Sequence, residues 1–268
     1  MNPPAMTAAT TAETVVPAHP DLVGASVFVT GGGSGIGAAL TEGFLRQGAK
    51  VAFVQRSDAA AFCDRMAEAT GNRPLFIRCD VTDAPALERA IADASAAHGP
   101  VTVLVSNAAN DVRHTIAETD AAAWEASLAI NLTPYFVAAR AAAPGMRAAG
   151  GGAIVNMSSI SYMMGNAGYP AYVTANAGIT GLTRALAREL GPDGIRANAL
   201  MPGWVLTEKQ ISHWATPQDL AAHLDKQCLK RHLEPADMVG GCLFLASGAS
   251  RMMTGQALVI DGGVVVTG

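Results

Sequence analysis

From about residue 25 the chain alternates short β-branched runs with longer stretches rich in Ala and Leu. The runs at 25–30 (ASVFVT), 50–54 (KVAFV), 75–79 (LFIRC), 101–106 (VTVLVS), 153–157 (AIVNM), 195–200 and 257–260 are mostly apolar. Such runs read as strands buried on both faces, as in a parallel sheet. Helical spacing occupies the intervals near 36–48, 58–70, 84–98, 119–148, 171–190 and 235–247. Strands alternating with helices predict right-handed βαβ units and an α/β fold: a doubly wound parallel sheet of about seven strands with helices on both faces. No repeat or linker divides the pattern, so residues 21–268 read as one domain, preceded by an Ala-, Thr- and Pro-rich arm at 1–20. The stretch 203–232 is polar and breaks the alternation. It is expected to form a flap over the carboxyl ends of the strands, where such sheets bind ligands.

Composition narrows the function classes. Half of the 268 residues are apolar and 15% are charged, enough for a large core and against a natively disordered chain. A net charge of −4 without a basic run argues against nucleic acid or an anionic membrane as partner. No stretch approaches the ~20 apolar residues of a membrane span. Residues 1–20 lack the basic start and apolar run of a signal peptide. Cys63, Cys79, Cys228 and Cys242 show no Cys-x-x-Cys spacing, which reads as free thiols in a reducing cytoplasm. No metal site is expected.

The first chemical signal is Thr30-Gly31-Gly32-Gly33-Ser34-Gly35-Ile36-Gly37, placed between the first strand and the first helix. There Gly31 permits a sharp turn, Gly35 lets backbone approach a pyrophosphate, and Gly37 lets helix and strand pack closely. The helix N-terminus turns its free N–H groups toward the anion. A dinucleotide is therefore the expected cofactor, with Ser34 and Ile36 also in the cradle. After the second strand an acidic residue would accept hydrogen bonds from the ribose of NAD. This chain has Gln55-Arg56-Ser57 instead, which does not repel a 2′-phosphate and offers a guanidinium to bind one. NADP is preferred on that ground, with NAD the alternative.

Further along stand Asp80-Val81 after the third strand and Ser106-Asn107-Ala108-Ala109 after the fourth. Asn156-Met157-Ser158-Ser159 follows the fifth, with Ser159 thirteen residues before Tyr172 in Tyr172-Val173-Thr174-Ala175-Asn176. Pro202-Gly203-Trp204-Val205-Leu206-Thr207 follows the sixth, and Asp261-Gly262-Gly263 ends the last. Together these motifs, over roughly residues 22–263, resemble the short-chain dehydrogenase/reductase family and its single-domain Rossmann-type fold. The string Asn110-Asp111-Val112-Arg113-His114 and the Cys228-Leu-Lys segment further resemble the bacterial D-xylose and L-arabinose 1-dehydrogenases within it.

The resemblance implies roles. Tyr172 is the general base, Ser159 orients the reacting oxygen, and Asn131 matches the residue that holds a relay water. Ser158 is distinguished from Ser159 by spacing alone. Asp80 and Val81 are expected near the adenine, and Asn107 and Ala108 on the adenosine side. Pro202, Gly203, Val205 and Thr207 are expected over the nicotinamide. Asn110, His114, Ser161 and Trp204 are the candidate substrate contacts, a polar set that suits a sugar because each buried hydroxyl needs a partner. His114 reads equally as a surface histidine. The family's pattern is Tyr-x-x-x-Lys, whereas this chain carries Asn176 in the Lys position. Residues i and i+4 share a helix face, so a cation at 176 would hold the phenol's pKa down, while an amide carries no charge. The expectations are an NAD(P)-dependent oxidoreductase oxidising an aldose at C1 to the lactone, slowed by Asn176. A carbonyl reductase, a secondary-alcohol dehydrogenase and a cofactor-binding protein without turnover stand as alternatives. Relatives assemble through the helices near 119–148 and 171–190, which implies a homodimer or homotetramer.

Overall fold

The computed structural model describes residues 16–266. All seven expected strands form: β1 (Ser26–Thr30), β2 (Lys50–Gln55), β3 (Leu75–Arg78), β4 (Val103–Ser106), β5 (Gly152–Met157), β6 (Ile195–Pro202) and β7 (Ala257–Ile260). They join in one sheet of order β3-β2-β1-β4-β5-β6-β7, with every neighbouring pair parallel. The order reverses between β1 and β4, which opens a crevice at their carboxyl ends. The connecting helices among the described residues are α1 (Gly35–Arg46), α2 (Ala60–Thr70), α3 (Ala84–His98), α4 (Ala121–Asn131), α5 (Thr133–Ala148), α6 (Ser161–Met164), α7 (Pro170–Leu190), α8 (Glu208–His213), α9 (Pro217–Lys226) and α10 (Asp237–Ala246).

The sheet is buried on both faces, as its unbroken apolar strands require. Residues Val27, Val29, Val51 and Phe53 pack with Leu40 and Phe44 of α1 and Leu243 of α10 on one face. Phe28, Ala52, Val54 and Leu104 pack with Leu87 and Ile91 of α3 and Val137 and Ala142 of α5 on the other. At about 25 cal/mol per Å² of buried apolar surface, this double burial is the main force holding the strand ends in register.

One expectation needs correction. The single helix expected over 119–148 is two, separated at Leu132, whose φ of −132° leaves the helical region. Pro134, in the first turn of α5, has no N–H to continue the hydrogen-bond ladder of α4. The segment 203–232 carries two short helices, α8 and α9, capped by the Thr207 and Thr216 hydroxyls. Most of the arm expected at 1–20 lies outside the described residues, but its end is docked. Val16 packs on the core, and the His19 N–H donates to Gln47 Oε1 at 2.7 Å.

Candidate active site

The crevice is a cavity of about 1200 Å³ running from the Gly31–Gly37 turn to the flap. Its floor is built by backbone geometry. Gly31 adopts φ +70°, and a Cβ on Gly37 would collide with the Gly31 carbonyl and approach the Asn107 amide. The turn can therefore pass beneath α1 only with glycine at 37. Asn107 locks this corner: its amide donates to the Thr30 and Gly31 carbonyls at 3.1 and 3.2 Å. Thr30 Oγ1 in return accepts the Asn107 and Ala108 N–H groups at 2.8 and 3.0 Å.

The expected cofactor residues line one continuous wall: Gly31, Ser34, Gly35, Ile36 and Gly37, then Gln55, Arg56 and Ser57, then Asp80, Val81, Asn107 and Ala108. Pro202, Gly203, Val205 and Thr207 line the opposite side. Arg56 is 70% exposed and sits 3.9 Å from Asp80. Asp80 Oδ1 accepts from the Thr82 N–H and hydroxyl, and these bonds hold its carboxyl below the usual range. The glycine cradle, the free end of α1 and an exposed guanidinium beside it fit a dinucleotide.

Beyond that wall, Ser159, Ser161 and Tyr172 line the same cavity. The structure separates the two serines that spacing alone distinguished. Ser158 Oγ donates to the Asn176 carbonyl at 2.9 Å and so ties β5 to α7. Ser159 Oγ accepts the Ser161 N–H at 3.1 Å and keeps its own proton to donate. Tyr172 is pushed up to about 12, first by burial and then by the Asp111 carboxylate, with the Asn176 and Ser159 side chains pulling the other way. Asn176 is 3% exposed, and its amide donates to the Tyr172 carbonyl at 2.9 Å. A second cavity of about 90 Å³ lies behind the tyrosine, lined by Asn131, Ser158, Tyr172 and Asn176 among others.

Asn131 ends α4 rather than sitting inside a long helix, and both its polar atoms grip the loop after β4. Its Oδ1 accepts the Asn110 N–H at 2.7 Å, and its Nδ2 donates to the Asn110 carbonyl at 3.0 Å. The substrate expectations divide. Trp204 and Ser161 line the cavity, while Asn110 and His114 are absent from its lining. His114 donates its backbone N–H to the Gly168 carbonyl at 2.7 Å, and its Nδ1 lies 3.1 Å from the Val112 carbonyl.

The cavity wall also contains Lys209 and Gln210, which the sequence did not single out and which engage Asp111 of the polar string. Asp111 Oδ1 takes a hydrogen bond from Lys209 Nζ at 2.6 Å, and Oδ2 takes one from Gln210 Nε2 at 2.5 Å. Lys209 also donates to Asn110 Oδ1 at 3.0 Å, and Trp204 Nε1 donates to Gln210 Oε1 at 2.8 Å. The Arg113 guanidinium lies 4.7 Å from the Trp214 ring centre and 5.7 Å from that of Tyr169. The flap and the loop after β4 are thus joined by an ion pair, two further hydrogen bonds and a cation–π contact. Asp111 and Lys209 are 98 residues apart, so no local motif could announce them.

Comparison with known proteins agrees with this construction. A family model described as enoyl-(acyl carrier protein) reductase matches residues 31–265. A protein assigned as galactose dehydrogenase from Rhizobium meliloti is 49% identical over 247 residues, covering 91% of this chain and 96% of the relative. The D-xylose 1-dehydrogenase of Caulobacter vibrioides is 43% identical over 247 residues, with 91% and 97% covered. Galactitol 2-dehydrogenase (L-tagatose-forming) from Cereibacter sphaeroides is 40% identical, with 91% and 96% covered. Among solved structures, a protein assigned as a gluconate dehydrogenase from Agrobacterium tumefaciens superposes with a TM-score of 0.87 at 32% identity, covering 93% of this chain and all of that one. The chain belongs to the short-chain dehydrogenase/reductase family and is an oxidoreductase of that family.

Proposed function

We propose that the protein oxidises an aldose at C1 to the lactone, with NADP preferred over NAD. The observation that carries the reading is a tyrosine–serine pair under a wall of polar side chains, Asp111, Lys209, Gln210 and Trp204. Such a wall suits a polyol, since buried polar groups without partners are costly. The relatives named for galactose, D-xylose and galactitol support the same substrate class.

Tyr172 removes the proton from the reacting hydroxyl, and Ser159 donates to the same oxygen and holds it at the phenol. A bound dinucleotide would supply a hydride acceptor for the reacting carbon. Gly31, Ser34, Gly35, Ile36 and Gly37 hold its pyrophosphate, and Arg56 pairs with the 2′-phosphate of NADP, which a free hydroxyl would not repay. Asp80, Val81, Asn107 and Ala108 flank the adenosine, and Pro202, Gly203, Val205 and Thr207 cover the nicotinamide. Asn131 fixes the loop that carries Asp111. The same chain is proposed to act in the cytoplasm as a homodimer or homotetramer.

A second reading rests on the raised phenol. A tyrosine at about 12 is protonated near neutrality, the state that donates a proton to a carbonyl. Reduction of a ketone or aldehyde by the reduced cofactor is therefore the alternative direction. The test is a panel of D-galactose, D-xylose, L-arabinose, galactitol, cyclohexanol and cyclohexanone with both cofactors. Aldoses should lead, with a higher kcat/KM for NADP⁺ than for NAD⁺. Sugars no better than cyclohexanol, or a preference for NAD⁺, would overturn the corresponding half of the proposal.

A further inference from the structure

We propose that Asp111, held by Lys209 and Gln210 of α8, reads a pair of neighbouring hydroxyls on the substrate and so makes the site selective for vicinal diols. The proposal rests on the reading of Tyr172 and Ser159 as a carbohydrate-oxidising pair and assigns the recognition to residues outside that pair.

The hydrogen-bond inventory carries the inference. A carboxylate has two oxygens with about four acceptor positions. Lys209 fills one on Oδ1 and Gln210 fills one on Oδ2, so each oxygen keeps acceptor capacity. The Lys209 ammonium has three N–H bonds, and Asn110 and Asp111 use two of them. The pair thus offers an acceptor on each of two adjacent oxygens and one cationic donor beside them. A vicinal diol is complementary: each O–H donates to one carboxylate oxygen, and one hydroxyl oxygen accepts from the ammonium.

Placement points the same way. Asp111, Lys209 and Gln210 line the cavity that Tyr172 lines, and the charge of Asp111 is felt at the phenol. The Asp111 side chain is 23% exposed and Lys209 48%. A half-exposed ion pair adds little to stability, so a role as a structural clasp alone explains it poorly. Hydrogen bonds from Lys209 and Gln210, with the Lys209 charge, keep Asp111 ionised despite its burial. A fixed, ionised carboxylate forms charge-assisted bonds, roughly twice as strong as neutral ones.

Asp111→Asn tests the assignment, because it preserves size while removing the charge and one acceptor oxygen. With NADP⁺ present, the quantity measured is the ratio of kcat/KM for D-galactose and D-xylose to that for cyclohexanol. Loss of charged hydrogen bonds to the sugar should lower this ratio by about 10- to 100-fold. Lys209→Met should lower it in the same direction by a smaller factor, and Lys209→Arg should restore much of it. The sugar-induced rise in Tm of the NADP⁺-loaded protein should shrink in parallel. If sugars are oxidised and Asp111→Asn leaves the ratio unchanged, the diol-reading role is overturned while the carbohydrate reading stands. If the wild-type protein oxidises cyclohexanol but neither binds nor oxidises any sugar, the carbohydrate reading falls and takes this role with it.

Discussion

At Tyr172 two local facts oppose catalysis near neutral pH: the phenol is desolvated, and the largest charge effect on it comes from the Asp111 carboxylate. Both favour the protonated form, and Asn176 opposes them only with a neutral amide, which also donates to the Tyr172 carbonyl. The 90 Å³ cavity beside Asn176 leaves room for a longer side chain at this position. We predict that Asn176→Lys raises the oxidation rate at neutral pH by about 10-fold or more, from a pKa shift of at least ~1 unit, or ~1.4 kcal/mol. The sign follows from the base being active only as tyrosinate. Activity rises as pH approaches the phenol's pKa, so a cation that lowers that pKa moves the rising limb to lower pH. Tyr172→Phe should abolish turnover in either background while leaving cofactor binding nearly intact. A folded, cofactor-binding Asn176→Lys variant with an unchanged rate and profile would refute the tyrosine–cation account. Residue chemistry was only partly legible beforehand. The Tyr172–Asn176 spacing could be read directly, whereas Asp111 and Lys209 gain meaning only when the flap folds onto the loop after β4.

At the level of elements, the alternation of apolar runs and helical stretches placed every strand, because strands buried on both faces leave an uninterrupted apolar signature. Boundaries were less legible. The Ala-rich segment from 119 to 148 has apolar residues at every helical phase, so periodicity could not show the break at Leu132, and Pro134 was its only mark. The flap helices are short and polar, and their signal lay in the caps. Thr216-Pro217-Gln218-Asp219 places a hydroxyl to accept the Asp219 N–H at 3.1 Å, a start pattern that hydropathy overlooks. The turn into α1 gives a prediction at this scale. A methyl at Gly37 meets the Gly31 carbonyl, so Gly37→Ala must push α1 away from β1 or open the turn. Overpacking of this kind costs about 1–3 kcal/mol. We expect a lower Tm and a Kd for NADP⁺ raised about 10-fold or more, measured by fluorescence titration. An unchanged Kd would show that the close approach does not shape the pyrophosphate site.

Over the whole molecule, apolar surface is distributed unevenly. Ala121–Asn131 reads AAAWEASLAIN, yet Asn131 is its only buried residue, and Trp124, Leu128 and Ile130 remain half-exposed. Next to it on α5, Phe136 is 49% exposed under the Arg140 guanidinium. Val173, Leu182 and Leu186 of α7 are likewise half-covered. A helix that is apolar on several sides but buried on almost none is expected to be covered by another copy, since monomers rarely leave large contiguous apolar patches in water. The helices concerned are those expected from the sequence to mediate assembly. We therefore predict a homodimer or homotetramer in light scattering at micromolar concentration. Phe136→Asp would place a carboxylate in the apolar contact, where desolvation without a partner is costly, and should shift the population toward monomers. The assembly should be insensitive to Leu229→Asp, a change to another exposed apolar residue, which lies between α9 and α10 and not on these helices. A wild-type monomer would defeat the assignment, as would a Phe136→Asp protein that stays fully assembled.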